Sequence, residues 1–137
     1  MSRLYLVSTS MILLVACVGR VAYAQDAQVL TKDELMQLMP GAKVDITFDS
    51  GGTNTWTNNA DGTLHAVGQS GLASGGKNYS SYAPGTWHIS DDGKFCSHIE
   101  WRKSVSDWCR SVAKAEDGAY VLVSSSGGPS WKLKVSK

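Results

Sequence analysis

The sequence has little charge and no concentration of basic residues. It holds 13 lysines and arginines against 12 aspartates and glutamates in 137 residues, a formal net charge of +1. Proteins that bind nucleic acid present a basic patch to the phosphate backbone, so no nucleic-acid partner is expected. The longest apolar stretch, residues 4–18, is broken at Ser8, Thr9 and Ser10. A membrane-spanning helix needs roughly 20 apolar residues, so we expect no transmembrane segment in the mature chain.

Familiar catalytic motifs are also missing. The sequence contains no Gly-x-Ser-x-Gly nucleophile elbow. Ser74-Gly75-Gly76-Lys77 has the Ser-x-x-Lys form of penicillin-binding enzymes, but the companion Ser-Asp-Asn and Lys-Thr-Gly motifs do not occur. Its two glycines oppose the helix that would bring the lysine back onto the serine. We therefore predict a protein that is not an enzyme and uses no cofactor.

The N-terminus has the pattern of a signal peptide over residues 1–24. Arg3 supplies the positive region, residues 4–18 supply the apolar region, and Ala22-Tyr23-Ala24 matches the small-residue cleavage pattern. Cleavage after Ala24 predicts a periplasmic or secreted protein. The alternative is a bacterial lipoprotein anchored through Cys17, because residues 14–17 resemble a lipobox.

Only Cys96 and Cys109 remain for the folded domain, and a cysteine pair in an exported chain indicates a disulfide. If the two cysteines face each other across an antiparallel pair of strands, His98 faces Asp107. Side chains alternate between the two faces of a strand, so the disulfide predicts which residues share the interior face. These residues are Phe95, Ile99, Trp101, Trp108 and Val112, and the disulfide is expected outside.

The remaining pattern predicts one all-β domain behind a short helix. Thr31-Lys32-Asp33-Glu34 is a capping box, and Pro40-Gly41 ends the helix it begins. From Val44 onward apolar residues alternate between Gly- and Asp-rich turns, giving about eight short strands. We predict an antiparallel meander closed into a small calycin-like barrel over residues 42–137, preceded by a leader and capping helix over residues 25–41. An open sheet or a two-layer sandwich is the alternative.

Several motifs resemble one family of small exported bacterial proteins, the family numbered 995 among the domains of unknown function. The likeness extends from about Met39 to Val135. The resemblance implies a compact β domain outside the cytoplasm and brings no catalytic residues. The motifs are Met39-Pro40-Gly41, Trp56-Thr57-Asn58, Asp61-Gly62, Gly85-Thr86-Trp87-His88-Ile89, Asp92-Gly93-Lys94-Phe95-Cys96, Asp107-Trp108-Cys109-Arg110 and Gly118-Ala119-Tyr120.

The five tryptophans are the outlier of the composition. An eight-stranded barrel can enclose a small ligand, so these rings either line an apolar cavity or fill the core with their own bulk. Trp56 stands among threonines and asparagines, and we expect it at the surface. Trp87 and Trp101 are the other tryptophans that we predict as binding residues.

Residues 69–84 are predicted to form a long loop suited to recognition. The loop combines Gly, Ser and Asn with Lys77, Tyr79 and Tyr82, a mixture typical of binding loops. Exported lysozyme inhibitors present such a loop from a small disulfide-bonded barrel, an analogy of form alone. The alternative is a polar connector without a binding role.

A polar group on the outer face is the weaker candidate site. Imidazole and carboxylate groups are usual zinc ligands, so His88, His98, Glu100 and Asp107 could hold a metal ion. The alternative is a solvated cross-strand pair, and we predict no metal. The sequence as a whole predicts a non-enzymatic binding module for a small apolar or envelope-derived ligand. The alternatives are a protein-recognition or inhibitor module and a surface metal-binding protein; no oligomeric state is predicted.

Overall fold

The computed structural model describes residues 28–71, 79–115 and 118–137. Within them it contains one helix, α1 (Lys32–Leu38), and nine β-strands. The strands are β1 (Gln28–Val29), β2 (Lys43–Thr47), β3 (Thr53–Thr57), β4 (Thr63–Gln69), β5 (Ser80–Ile89), β6 (Phe95–Trp101), β7 (Ser104–Lys114), β8 (Tyr120–Val123) and β9 (Trp131–Ser136). No helix in these ranges is long and apolar enough to cross a membrane. The predicted signal peptide lies outside the described residues.

Strands β2 to β9 form the predicted closed barrel. Each strand pairs antiparallel with the next along the chain, and β9 returns to pair with β2. Closure gives every strand from β2 to β9 a hydrogen-bonded neighbour on both sides, which is the physical advantage of a barrel over an open sheet, although β8 pairs only with the last four residues of β7. The short β1 adds to β7 beyond the end of β6, with Gln28 opposite Lys114.

The disulfide and the register around it are confirmed. Cys96 pairs with Cys109 and His98 with Asp107 across β6 and β7, and the two sulfur atoms are bonded. A tight turn at Arg102 and Lys103 joins the two strands directly. The predicted interior face is also confirmed, because Phe95, Ile99 and Val112 are fully buried and Trp101 and Trp108 pack against the core.

Strand β5 begins earlier than the sequence pattern predicts. Residues 69 and 80–84, predicted as loop, lie in β4 and β5, where Gln69 pairs with Ser80. The alternation is hidden because the inward positions hold small residues, Ala83 and Gly85. A methyl group at Gly85 would lie 2.3 Å from the backbone oxygen of His98 and 3.0 Å from Leu64. The interior therefore requires glycine at this position.

Helix α1 closes one end of the barrel. The predicted capping box is present, since the Thr31 hydroxyl accepts from the Glu34 amide and the Glu34 carboxylate accepts from the Thr31 amide. Leu35 and Met39 are fully buried in the core. The buried Asn58 fixes the helix end to the barrel floor, because its amide Nδ2 donates to the Met39 oxygen at 3.1 Å. We call this the closed end of the barrel.

A chain of aromatic rings fills the barrel interior. Phe95 lies 5.6 Å from Trp108 and 6.5 Å from both Trp56 and Trp87, measured between ring centroids. The prediction that Trp56 lies at the surface is wrong: only 3% of it is exposed. Its ring points inward, and its indole Nε1 donates to Asn58 Oδ1 at 2.8 Å, so a partner within the core satisfies its polar atom.

Arg110 lies in the part of β7 that β8 is too short to pair with, and its side chain closes the gap between the strands there. Its guanidinium carbon lies 3.4 Å from the ring centroid of Trp131, and Nη1 donates to the Pro129 oxygen at 2.8 Å. Burial lowers the pKa of this guanidinium. Trp131 in turn contacts Trp108 at 5.6 Å and Phe48 at 4.9 Å. The ring chain therefore runs on from the core to the end opposite α1, which we call the open mouth.

Candidate functional site

The open mouth holds a cavity of about 530 Å³, within the size range of small-molecule sites. It lies where the β2–β3 and β6–β7 connections approach the paired ends of β4 and β5. The described residues that line it are aromatic, small and polar, or basic. They are Phe48, Asn54, Gly68, Gln69, Ser70, Tyr79, Ser81, Trp101, Arg102, Lys103, Ser104 and Ser106.

Trp101 lies across the mouth and is held at both edges of its ring. Its indole Nε1 donates to Ser106 Oγ on β7 at 3.0 Å. At the other edge a methyl group on Gly68 would lie 3.0 Å from the Trp101 Cη2 atom. Glycine in β4 thus makes room for the ring. A ring fixed by packing and a hydrogen bond loses little conformational freedom when a ligand binds against it.

The rim of the mouth is polar and positively charged. Arg102 and Lys103 occupy the β6–β7 turn and are exposed, and neither forms an ion pair with any residue of the described ranges. Asn54, Gln69 and Ser104 add groups that both donate and accept hydrogen bonds. The described lining contains no carboxylate; Asp49 lies in the β2–β3 turn at the same end, beyond the lining residues.

The structure divides the six predicted binding residues among different environments. Trp101 and Tyr79 come together at the mouth, and Tyr79 is 60% exposed. Trp56 and Trp87 lie in the core, and Trp87 is only 8% exposed. Tyr82 is 76% exposed and stands on the outer wall, opposite Val67 of β4. Lys77 lies outside the described residues.

The second candidate cluster comes together around His98 on the outer wall. The His98 Nε2 atom lies 3.5 Å from a Glu100 oxygen, and Nδ1 lies 3.4 Å from an Asp107 oxygen. The two carboxylates approach different nitrogens of the ring, so the three groups do not point to a common position where one ion would sit. The cluster is also open to water. A shallow cavity of about 210 Å³ adjoins His98 and Glu100.

His88 lies beside the disulfide rather than beside His98. Within the described ranges, His88, Cys96 and Cys109 form the group of potential metal ligands whose atoms lie within 4.8 Å of one another. The two sulfur atoms are bonded to each other. Cysteine binds metals strongly only as a thiolate, so these disulfide sulfurs are poor ligands. In the oxidised protein this leaves His88 as a single imidazole on the outer wall.

Sequence reasoning missed Phe48, Gly68, Arg102 and Lys103 at the mouth. Their common signal is position: each lies at or next to the end of a strand, on the side of the barrel opposite the capping helix. Arg102 and Lys103 are moreover adjacent cations between Trp101 and Ser104 in a tight hairpin. That signal becomes informative only once the closed end has been assigned to the helix.

Comparison with family models agrees with the resemblance seen in the motifs. The model described as "Protein of unknown function (DUF995)" matches residues 11–131. Neither the curated proteins nor the solved structures yield a match. The matched range covers most of the chain and includes every strand from β1 to β8. The protein therefore belongs to the DUF995 family.

Proposed function

We propose that this protein is an exported, non-enzymatic binding module that takes a small envelope-derived ligand at the open mouth of its barrel. The observation that carries the proposal is the mouth cavity of about 530 Å³, with Trp101 laid across it and Tyr79 exposed beside it. A cavity that combines aromatic surface with a few convergent polar groups is the usual form of a small-molecule site.

The filled interior supports the mouth as the binding site. Phe95, Trp56 and Trp108 contact one another within the barrel, where a lipid-binding barrel would keep space for its cargo. A ligand inside would have to displace rings that are closely packed, at a cost of several kcal/mol. At the mouth the aromatic surface is already partly exposed, so binding there requires no such displacement.

The Cys96–Cys109 disulfide supports the proposal of export, because disulfides persist in oxidising compartments. The exposed setting of His98, Glu100 and Asp107 supports a role without catalysis. Acid–base and metal catalysis gain strength from a site that excludes water, and this group lies on a solvated wall.

Native mass spectrometry of protein recovered from its own cell envelope tests the proposal. We expect the folded protein to carry an extra mass that leaves on denaturation. Replacing Tyr79 by alanine should weaken binding about tenfold, the effect of one lost aromatic contact, and so lower the fraction of the protein that carries the extra mass. Equal native and denatured masses for the wild-type protein would contradict the proposal.

Tyr82 supplies a matched control for that experiment. It is the same residue type and is also exposed, but it stands on the outer wall. We expect Tyr82→Ala to keep the extra mass. Loss of the mass in Tyr82→Ala with full retention in Tyr79→Ala would place the ligand outside the mouth.

A second candidate function is protein recognition, including inhibition of an enzyme. The observation that favours it is the exposure of Tyr82 and Val105 on the outer wall, at 76% and 61%. Exposed aromatic side chains are common anchors of protein interfaces. Under this alternative, Tyr82→Ala abolishes the capture of a protein partner from the envelope, whereas under the mouth proposal it changes nothing.

A further inference from the structure

The chemistry of the mouth narrows the class of ligand. A purely apolar ligand would cover the amide and hydroxyl groups of Asn54, Gln69 and Ser104 and leave them without hydrogen bonds. A buried polar group without a partner costs about 1 to 3 kcal/mol, so such a ligand is disfavoured. A ligand rich in hydroxyl groups would satisfy these side chains, because each of them can donate and accept.

The aromatic surfaces favour a ligand with a ring that has an apolar face. The Trp101 ring is held across the mouth by Ser106 and packs over Gly68, and Tyr79 stands at the rim. Tryptophan and tyrosine combine a large apolar face with a polar edge, and they lose little rotamer freedom on binding. A sugar ring has the same duality: one face of C–H groups and a perimeter of hydroxyl groups.

The charge of the rim favours an acid. Arg102 and Lys103 have no ion-pair partner among the described residues, and the described lining holds no carboxylate. Arginine binds carboxylates through two parallel hydrogen bonds, and lysine adds a second positive charge. A neutral ligand would form no ion pair with either of these side chains.

We propose that the ligand is a saccharide that carries a carboxylate, with its ring against Trp101 and its acid group at Arg102 and Lys103. This inference rests on the proposed function of the mouth and gives it a substrate class. Two envelope sources share this chemistry: the muramic acid of the cell wall and the acidic octulosonic sugars of outer-membrane lipids.

Two disaccharides test the charge directly. N-acetylglucosaminyl-N-acetylmuramic acid and di-N-acetylated chitobiose differ in the lactyl ether group, which carries the carboxylate, and calorimetry measures the affinity of each. We expect the acid to bind about tenfold more tightly, the effect of one charge-assisted hydrogen bond. Added salt should weaken the binding of the acid and leave the binding of chitobiose unchanged. The deoxy-octulosonic acid is the third probe, and the tighter of the two acids identifies the source.

The double variant Arg102→Gln/Lys103→Gln should reduce the affinity for the acid to that for chitobiose. Its control is Lys43→Gln/Lys134→Gln, which removes the same charge from exposed positions on β2 and β9. Trp101→Ala should lower the affinity for all three sugars by the same factor. Equal binding of acid and chitobiose, or no binding of any sugar, would overturn the saccharide-acid class. The mouth proposal is judged separately by the extra mass in native mass spectrometry and its loss in Tyr79→Ala.

Discussion

Replacing Phe95 by alanine should lower the free energy of unfolding by about 3 to 5 kcal/mol, the usual cost of removing a large aromatic ring from a core. Phe95 has no exposed surface, and its ring contacts the rings of Trp56, Trp87 and Trp108. Its removal therefore breaks three ring contacts and leaves a cavity that the closed barrel cannot collapse to fill. Urea denaturation followed by tryptophan fluorescence measures the loss.

Tyr82→Ala is the control for this substitution, because it removes an exposed ring of similar size from the same barrel. A change at the surface should stay within about 0.5 kcal/mol. If Phe95→Ala were no more destabilising than Tyr82→Ala, the barrel interior would not be packed as described here. The argument that the ligand binds at the mouth would then lose its main support.

Replacing both cysteines by alanine should lower the free energy of unfolding by about 3 kcal/mol. Cys96 and Cys109 are separated by 13 positions, and their bond limits the conformations of the unfolded chain between them. That loss is a large share of the stability of a small domain. The measurement is the urea midpoint of the double variant against the wild-type protein.

A reductant provides the internal control for the disulfide. It should lower the midpoint of the wild-type protein to that of Cys96→Ala/Cys109→Ala and leave the double variant unchanged. A wild-type midpoint insensitive to full reduction, verified by thiol titration, would show that the bond adds nothing to stability.

The sequence predicts the centre of this fold well because the disulfide fixes a register. Once Cys96 faces Cys109, the alternation of side chains along the two strands decides which residues face the interior. Phe95 and Val112 are among them. The capping box at Thr31 is equally local, since its two hydrogen bonds join residues three apart. Predictions of this kind need no knowledge of distant contacts.

The burial of Trp56 could not be predicted because it depends on contacts between distant segments. The Asn58 side chain accepts from the Trp56 indole and donates to the Met39 oxygen. The Asn58 backbone amide donates to the Ala42 oxygen. The polar neighbours of Trp56 suggested a surface position, but one of them supplies the buried partner. The start of β5 was missed for a related reason, since Ala83 and Gly85 are inward residues too small to show an apolar pattern.

Most of the motifs that carry the family resemblance meet at the closed end of the barrel. The Gly41 amide donates to the Asn58 oxygen at 2.8 Å, which joins the first motif to the second. Trp87 bonds through its backbone amide to the Gly62 oxygen and through its indole to the Asn59 oxygen, both at 2.9 Å. These residues build the floor of the barrel, which explains why the motifs identify a fold and leave the mouth undetermined.

The ¹H–¹⁵N spectrum of the tryptophan indole groups tests most directly whether the ligand binds at the mouth rather than inside the barrel. The indole groups of Trp56, Trp87 and Trp101 have different hydrogen-bond partners and report on different depths. The small-molecule extract of the cell envelope is added to the labelled protein. We expect the Trp101 signal to shift while the Trp56 and Trp87 signals stay in place. Shifts at Trp56 and Trp87 with an unmoved Trp101, or no shift in any signal, would contradict the account.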